Sequence, residues 1–174
     1  MPPTTKPAEG EYLAYFGRYI SLVPEGDIIE QLQTQIGATM ALLHTVSEEK
    51  SSFRYAPGKW SMKQSLGHVI DTERIFAYRL LAIARGEKAA LPSFDQDEYV
   101  NGADFDNCSW AYLVAEFELV RRATVAMLKN LPEFAWERTG TASGAPTSAR
   151  ALAFMMAGHE LYHRAIFRDR YLAA

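Results

Sequence analysis

The residues of this chain best suited to chemistry are His159-Glu160-Leu161-Tyr162-His163. Two histidines at i and i+4 lie one helical turn apart, so both imidazoles point to the same side, as a shared metal ion requires. At about 100° per residue they fall with Leu152, Met155, Met156 and Ile166 on the apolar stripe of their helix, which turns both toward the interior. The alternative is a pair of hydrogen-bonded core histidines. Two neutral imidazoles need partners for their outer nitrogens, and a metal is the simplest common partner.

The same five residues match His-Glu-x-x-His, the zinc-protease pattern with Glu as general base. That chemistry needs a third ligand downstream, and only eleven residues follow His163. Asp169, the one acid among them, lies about 100° off the histidine face, and no strand pattern is present to wall a protease cleft. A third ligand must therefore come from another helix, and His68 and His44 are the remaining histidines. His68 is the stronger candidate: Gly67 permits close approach of another element, and Asp71, at i+3, is a potential acceptor for the imidazole. A helical wheel argues the other way. It puts His68 about 160° from the Leu66/Ile70/Ala77 stripe, on a side shared with Gln64, Ile75, Arg79 and Ala82. His44 sits at the edge of its own stripe and reads as a structural or partly exposed residue.

The elements that must position these side chains follow from periodicity and capping. Glu11 to Val23 reads as a short helix or irregular lead-in ended by Pro24. Asp27 caps a first long helix to about Val46, with Ile29, Leu32, Ile36, Met40 and Leu43 as its stripe. Ser61 and Gln64 form a capping-box pattern at the start of a second, which Gly86 ends in a left-handed cap. Residues 87–108 read as a long connection with one helical turn around Asp95 to Val100. Ser109 caps a third helix that stops at Pro132. Thr139 to Pro146 reads as a flexible loop, and Thr147 or Ser148 caps a fourth helix to about Leu172. Four amphipathic helices with almost no strand predict an all-α antiparallel bundle, in which the 87–108 segment allows a crossover. Residues 1–9 read as a loose N-terminal arm and 10–174 as a single domain.

The composition sets outer limits. The chain has 174 residues, 48% of them hydrophobic and 22% charged, the balance of one folded domain. Eighteen Lys and Arg against 21 Asp and Glu leave no basic surplus for nucleic acid. The lone Cys108 excludes an internal disulfide and suits a reduced cytoplasm, and it reads as an inert thiol. With no apolar run of about 18 residues, no membrane span is expected.

Several segments together resemble the DinB-like superfamily of bacterial metal-binding four-helix bundles. They are Tyr19 to Asp27, Arg54-Tyr55-Ala56-Pro57-Gly58-Lys59-Trp60-Ser61, Gly67-His68-Val69-Ile70-Asp71-Thr72-Glu73-Arg74 and Gly158 to His163, with Glu116-Phe117 and Arg121 to Thr124 adding to the match. The resemblance implies an up-up-down-down bundle holding one divalent metal on His68, His159 and His163. Relatives often carry a further histidine where this chain has Tyr162. The resemblance also implies an open site working either as a hydrolase or as a transferase of low-molecular-weight thiols. A non-catalytic metal-binding or stress-response bundle is the alternative. Zinc or nickel suits the nitrogen donors first, with iron or manganese next.

Asp71 and Glu160, the acids nearest the ligands in sequence, are candidates for a base or a supporting group, and otherwise for salt bridges. Arg121, Arg122, Arg164, Arg168 and Arg170 read as solvated charges, and Trp60, Trp110 and Trp136 as lids near helix ends. The expected partner is a small-molecule substrate or thiol, and the expected assembly a homodimer.

Overall fold

A computed structural model describes residues 1–173. A 3₁₀ turn, Ala14–Phe16, leads into α1 (Gly17–Ile20). Four long helices follow: α2 (Ile28–Leu43), α4 (Met62–Arg85), α6 (Trp110–Lys129) and α7 (Ala149–Ile166). The short α3 (Glu48–Ser51) and α5 (Gln96–Gly102) lie in the connections. Each long helix starts at the expected cap. Asp27 accepts from the amides of Ile29 and Glu30, Ser61 and Gln64 close a full capping box, and Ser109 and Ser148 accept from Tyr112 and Ala151. Gly86 ends α4 at φ 93°, a left-handed conformation that a side chain would strain. Beyond Ile166, α7 continues as a π-helical turn over Phe167–Tyr171.

The principal contacts run around a ring, α2 to α6 to α4 to α7 and back to α2. Thus α2 and α4, successive long helices in the chain, are not principal neighbours. Among the described residues no helix is long and apolar enough to cross a membrane.

The segment expected as a flexible loop is instead a β-hairpin: β1 (Thr139–Ala142) pairs antiparallel with β2 (Ala145–Ser148). Ser143 and Gly144 link them with φ of 51° and 78°, the positive values that a two-residue type I′ turn demands. The long connection pairs with it, Leu91 donating to Thr141 and accepting from Ser143. At the N-terminus, the carbonyls of Pro3 and Thr4 accept from Ile28 and Gly26, laying these two residues beside the start of α2.

Two apolar cores fill the bundle. One gathers Leu32, Phe76, Leu80, Leu128, Leu152 and Phe154 with their neighbours, the other Leu43, Leu66, Ile70, Leu113, Phe117 and Phe167. In every long helix the residues between the two cores include buried polar ones. These are Gln35 and Thr39 in α2, Thr72 and Glu73 in α4, Arg121 and Thr124 in α6, and His159, Glu160 and His163 in α7. A polar layer therefore crosses the bundle at mid-height, and His68 lies one turn from its member Thr72.

Candidate metal centre

The histidines of the polar layer owe their position to small residues. Along α7, Ala149, Ala151, Ala153 and Ala157 are all buried, so neighbouring elements approach its backbone closely. Gly158 is the extreme case. A Cβ there would lie 2.1 Å from the carbonyl oxygen of Tyr19, so only glycine lets α1 rest on α7. That contact sets the Tyr19 ring edge-on against His159, centroids 5.2 Å apart. Gly67 receives the Phe105 ring in the same way, with a built Cβ only 2.5 Å away.

His68 of α4 and His159 and His163 of α7 converge: each offers a ring nitrogen, and these nitrogens all lie within 4.8 Å of one another. His68 Nε2 and His159 Nε2 are 3.2 Å apart. The ring centroids are separated by 4.5 Å for His159 and His163 and by 5.1 Å for each remaining pair. All three side chains are buried. The helical wheel's surface position for His68 is thus corrected. The wheel assumed a single buried stripe, whereas α4 packs on α6 and α7 and the Trp60 ring covers His68 at 4.9 Å.

Burial disfavours the imidazolium and lowers all three pKa values, His68 to about 4, His163 to about 3 and His159 well below 6.5. For His159 the neighbouring histidines add to the effect. Near neutral pH the cluster is a set of uncharged nitrogen donors, the state in which imidazole binds a metal. Two outer nitrogens face hydroxyls: Thr72 Oγ1 lies 3.4 Å from His68 Nδ1 and Ser65 Oγ 3.4 Å from His163 Nδ1. Each hydroxyl can accept from an Nδ1–H, the tautomer that leaves Nε2 as the free donor.

The centre opens on two cavities that share Tyr15, Tyr19, Gln96 and Asp97 in their walls. One, of about 390 Å³, is lined by His163, Trp60 and Tyr162; the other, of about 320 Å³, by His68, His159, Phe76 and Arg79. At the mouth, Arg18 bonds the hydroxyls of Tyr15 and Tyr19 and lies over both rings. Burial and the hydrogen bond with Tyr15 push the Tyr19 hydroxyl up to about 12, which keeps it a proton donor.

The candidate acids lie elsewhere. Asp71 faces Arg74 at 3.6 Å, and the polar group beside His68 Nδ1 is Thr72. Glu160 turns away from the histidines on its own helix, accepting from Thr39 and pairing with Arg121. Arg121, expected in solvent, is fully enclosed; its Nε and Nη2 each donate to Glu73 at 2.8 Å. Burial would lower its pKa, but Glu73 and Glu160 outweigh that and raise it. The charge pattern was in the sequence, since Arg121 lies four residues from Phe117 on the apolar stripe of α6.

Arg122 and Arg168 do pair at the surface, with Glu118 and Asp169. His44 caps α2 and is exposed. Trp110 and Trp136 are core residues, whereas Trp60 flanks the site. Cys108 is half-buried, with its thiol near the Asp104 carbonyl. Sequence reasoning missed Ser65, Thr72 and Arg79. The first two stand at i−3 and i+4 from His68, a spacing that brings them beside it.

The fold and its histidine cluster define a helical-bundle protein with a candidate metal centre. The model of the DinB superfamily matches residues 31–167, and the chain belongs to that superfamily. A protein of Oceanobacillus iheyensis, whose name assigns it to the metal-dependent hydrolases, is 24% identical over 71 residues, a stretch covering 41% of each chain. The fold is shared with YfiT from Bacillus subtilis, described as a "probable metal-dependent hydrolase with an unusual four-helix bundle topology". The TM-score is 0.71 at 14% identity, over 97% of this chain and 93% of that one. It is shared also with a mycothiol-dependent maleylpyruvate isomerase, at TM-score 0.67 and 14% identity over 82% of this chain and 62% of the other.

Proposed function

We propose that His68, His159 and His163 hold one divalent transition metal, zinc or nickel first, and that the protein is a metal-dependent hydrolase of small molecules. The reading rests on three neutral, buried imidazoles from two helices whose donor nitrogens meet at the base of an open cleft. The donor types suit such an ion, and one pair already has its spacing: two ligands at about 2.0–2.1 Å from a tetrahedral metal stand roughly 3.3 Å apart, close to the 3.2 Å between His68 Nε2 and His159 Nε2. Three protein ligands leave a position for an outside molecule, which separates this set from a closed structural site.

When bound, the metal would lower the pKa of a water or thiol attached to it and polarise a substrate carbonyl. The chain's own residues supply the rest. Thr72 and Ser65 orient the imidazoles, Trp60 and Tyr19 cover them from water, and the protonated Tyr19 hydroxyl can donate a hydrogen bond into the cleft. The names of the Oceanobacillus and Bacillus proteins support hydrolysis.

Transfer of a low-molecular-weight thiol is the second reading. The two cavities meeting at one centre favour it, because they offer separate room for a thiol and for its acceptor. The similarity to the mycothiol-dependent isomerase supports the same reading.

Elemental analysis of protein carrying no metal-binding tag tests the centre. About one equivalent of a transition metal is expected in the parent and in His44→Ala, and none in His68→Ala or His159→Ala. Metal retained by either of those two variants would overturn the ligand set. Loaded protein assayed on simple esters and amides, with and without a small thiol, then separates the two reactions. A parent that takes up neither zinc nor nickel would leave a non-catalytic bundle.

A further inference from the structure

Arg79 is the second buried arginine of the described residues, 3% exposed against 1% for Arg121, and it differs from Arg121 in what it meets. Arg121 is held by two carboxylates. Arg79 gives one hydrogen bond, from Nη2 to the carbonyl oxygen of Pro92 at 2.5 Å, and no carboxylate among the described residues is within ion-pair distance. The Arg79 Nε and Nη1 take no protein partner and are not closed off from solvent, so in the wall of the cavity they are free to meet an incoming anion. The planar fork suits a carboxylate best, through two parallel bonds.

Its position gives that anion a role. Arg79 is eleven residues from His68, close to three turns, so both side chains leave the same face of α4. They line one cavity, of about 320 Å³, with His159. Phe76 stands between the two ends, its ring 5.9 Å from the Arg79 guanidinium and 6.2 Å from the His159 ring. The Phe94 ring also lies by the guanidinium, at 5.8 Å. Two carboxylates share the cavity wall. Asp95 spends one oxygen on the amides of Asp97 and Glu98, and both Asp95 and Asp97 are exposed to solvent.

We infer that Arg79 anchors the carboxylate of an organic acid whose aromatic or unsaturated body lies along Phe76, with its far end at the three histidines. This deepens the metal-dependent reading, since it names the class of substrate that such a centre would act on.

The test titrates 3-phenylpropanoate and its neutral amide into ¹⁵N-labelled protein, chelator-treated and zinc-loaded, while following the Arg79 Nε–H signal. In both preparations the acid should bind at least about 10-fold more tightly than the amide and move that signal, because charged hydrogen bonds to a buried arginine need no ion. Arg79→Gln should bring the ratio near one, and Arg79→Lys should keep part of it.

Equal binding of acid and amide, no binding of either, or undiminished acid binding in Arg79→Gln would overturn the anchor. Binding that appears only with zinc and ignores Arg79→Gln would put the carboxylate on the ion and overturn the anchor as well. Failure to take up zinc counts against the metal reading alone and leaves the chelator-treated titration decisive. If Arg79→Gln does not fold, the acid-to-amide ratio and the Arg79 signal of the parent still decide.

Discussion

His68 Nε2 and His159 Nε2 stand 3.2 Å apart across the contact between α4 and α7. Two imidazoles at that distance can share one proton or one cation, but both cannot carry a proton on the facing nitrogen without repulsion. Their lowered pKa values express the same constraint, burial first and, for His159, the neighbouring histidines next. A divalent ion would satisfy all three rings together and tie α4 to α7. Zinc should therefore raise the melting temperature of the parent, by about 5–10 °C at a hundredfold excess over the dissociation constant. His68→Ala should show no such rise in a thermal melt.

Thr72 tests whether the surroundings of the ligands matter as well as the ligands. Its hydroxyl is the polar neighbour of His68 Nδ1, and valine keeps its shape while removing the oxygen. Thr72→Val should weaken zinc binding by about tenfold in a chelator competition, with the fold unchanged by circular dichroism. Asp71→Asn, at a residue turned toward Arg74, should leave that affinity within about twofold.

Arg121 compensates two carboxylates in the polar layer, Glu73 and Glu160. Arg121→Met would leave both buried without a partner and should cost about 3–5 kcal/mol in denaturant unfolding. Replacing Glu73 and Glu160 by Gln in the same chain should recover a large part of that loss, since the penalty lies in uncompensated charge. A loss that persists in full would assign it to packing instead.

What the sequence revealed and what it hid divide along the range of the interaction. Asp27, Ser61 with Gln64, Ser109 and Ser148 cap within a few residues of themselves, so the starts of the long helices were legible. The pair His159 and His163 was legible for the same reason, because one helical turn dictates that the two rings meet. His68 was misjudged by periodicity, since a wheel has one inside and α4 has neighbours on two sides. The destinations of Glu160 and Arg121 were hidden because their partners are at least 39 residues away. The hairpin was hidden by its residues. Thr, Gly, Ala, Ser and Pro read as loop, and it is the pairing of β1 with β2 about the positive φ of Ser143 and Gly144, with Leu91 alongside, that makes them strands.

Glu11 couples the lead-in to α7 and gives the fold a sensitivity to acid. Its carboxylate accepts from Arg150, from the Ser148 hydroxyl and from the Ala8 amide, and its carbonyl accepts from the Ser148 amide. The Arg150 contact above all holds its pKa down, to about 2 from an ordinary 4.5. A depressed carboxylate stabilises the fold fully above its unfolded value and loses that contribution as the pH falls through the folded value. Glu11→Gln should thus cost about 1 kcal/mol at pH 7. The gap to the parent should close between about pH 4.5 and 2 in urea titrations. A gap independent of pH would remove the ionised pair as its source.

The lead-in reaches the site through Gly158, and there a single methyl group separates stability from geometry. A Cβ at Gly158 would fall 2.1 Å from the Tyr19 carbonyl oxygen, with the carbonyl carbon at 2.4 Å. Both are backbone atoms, so no rotamer relieves the clash, and α1 must lift from α7. Gly158 is helical, and in an open helix alanine would be preferred by about 1 kcal/mol. Gly158→Ala should instead destabilise by about 1–3 kcal/mol, the cost of overpacking. The displacement would carry the Tyr19 ring off His159, whereas Tyr19→Phe keeps the ring and the backbone contact and removes only the hydroxyl. Gly158→Ala should therefore broaden or shift the His159 ring signals in NMR spectra, and Tyr19→Phe should leave stability nearly unchanged. A Gly158→Ala protein as stable as the parent, with unaltered His159 signals, would mean that α1 does not hold its place by this contact.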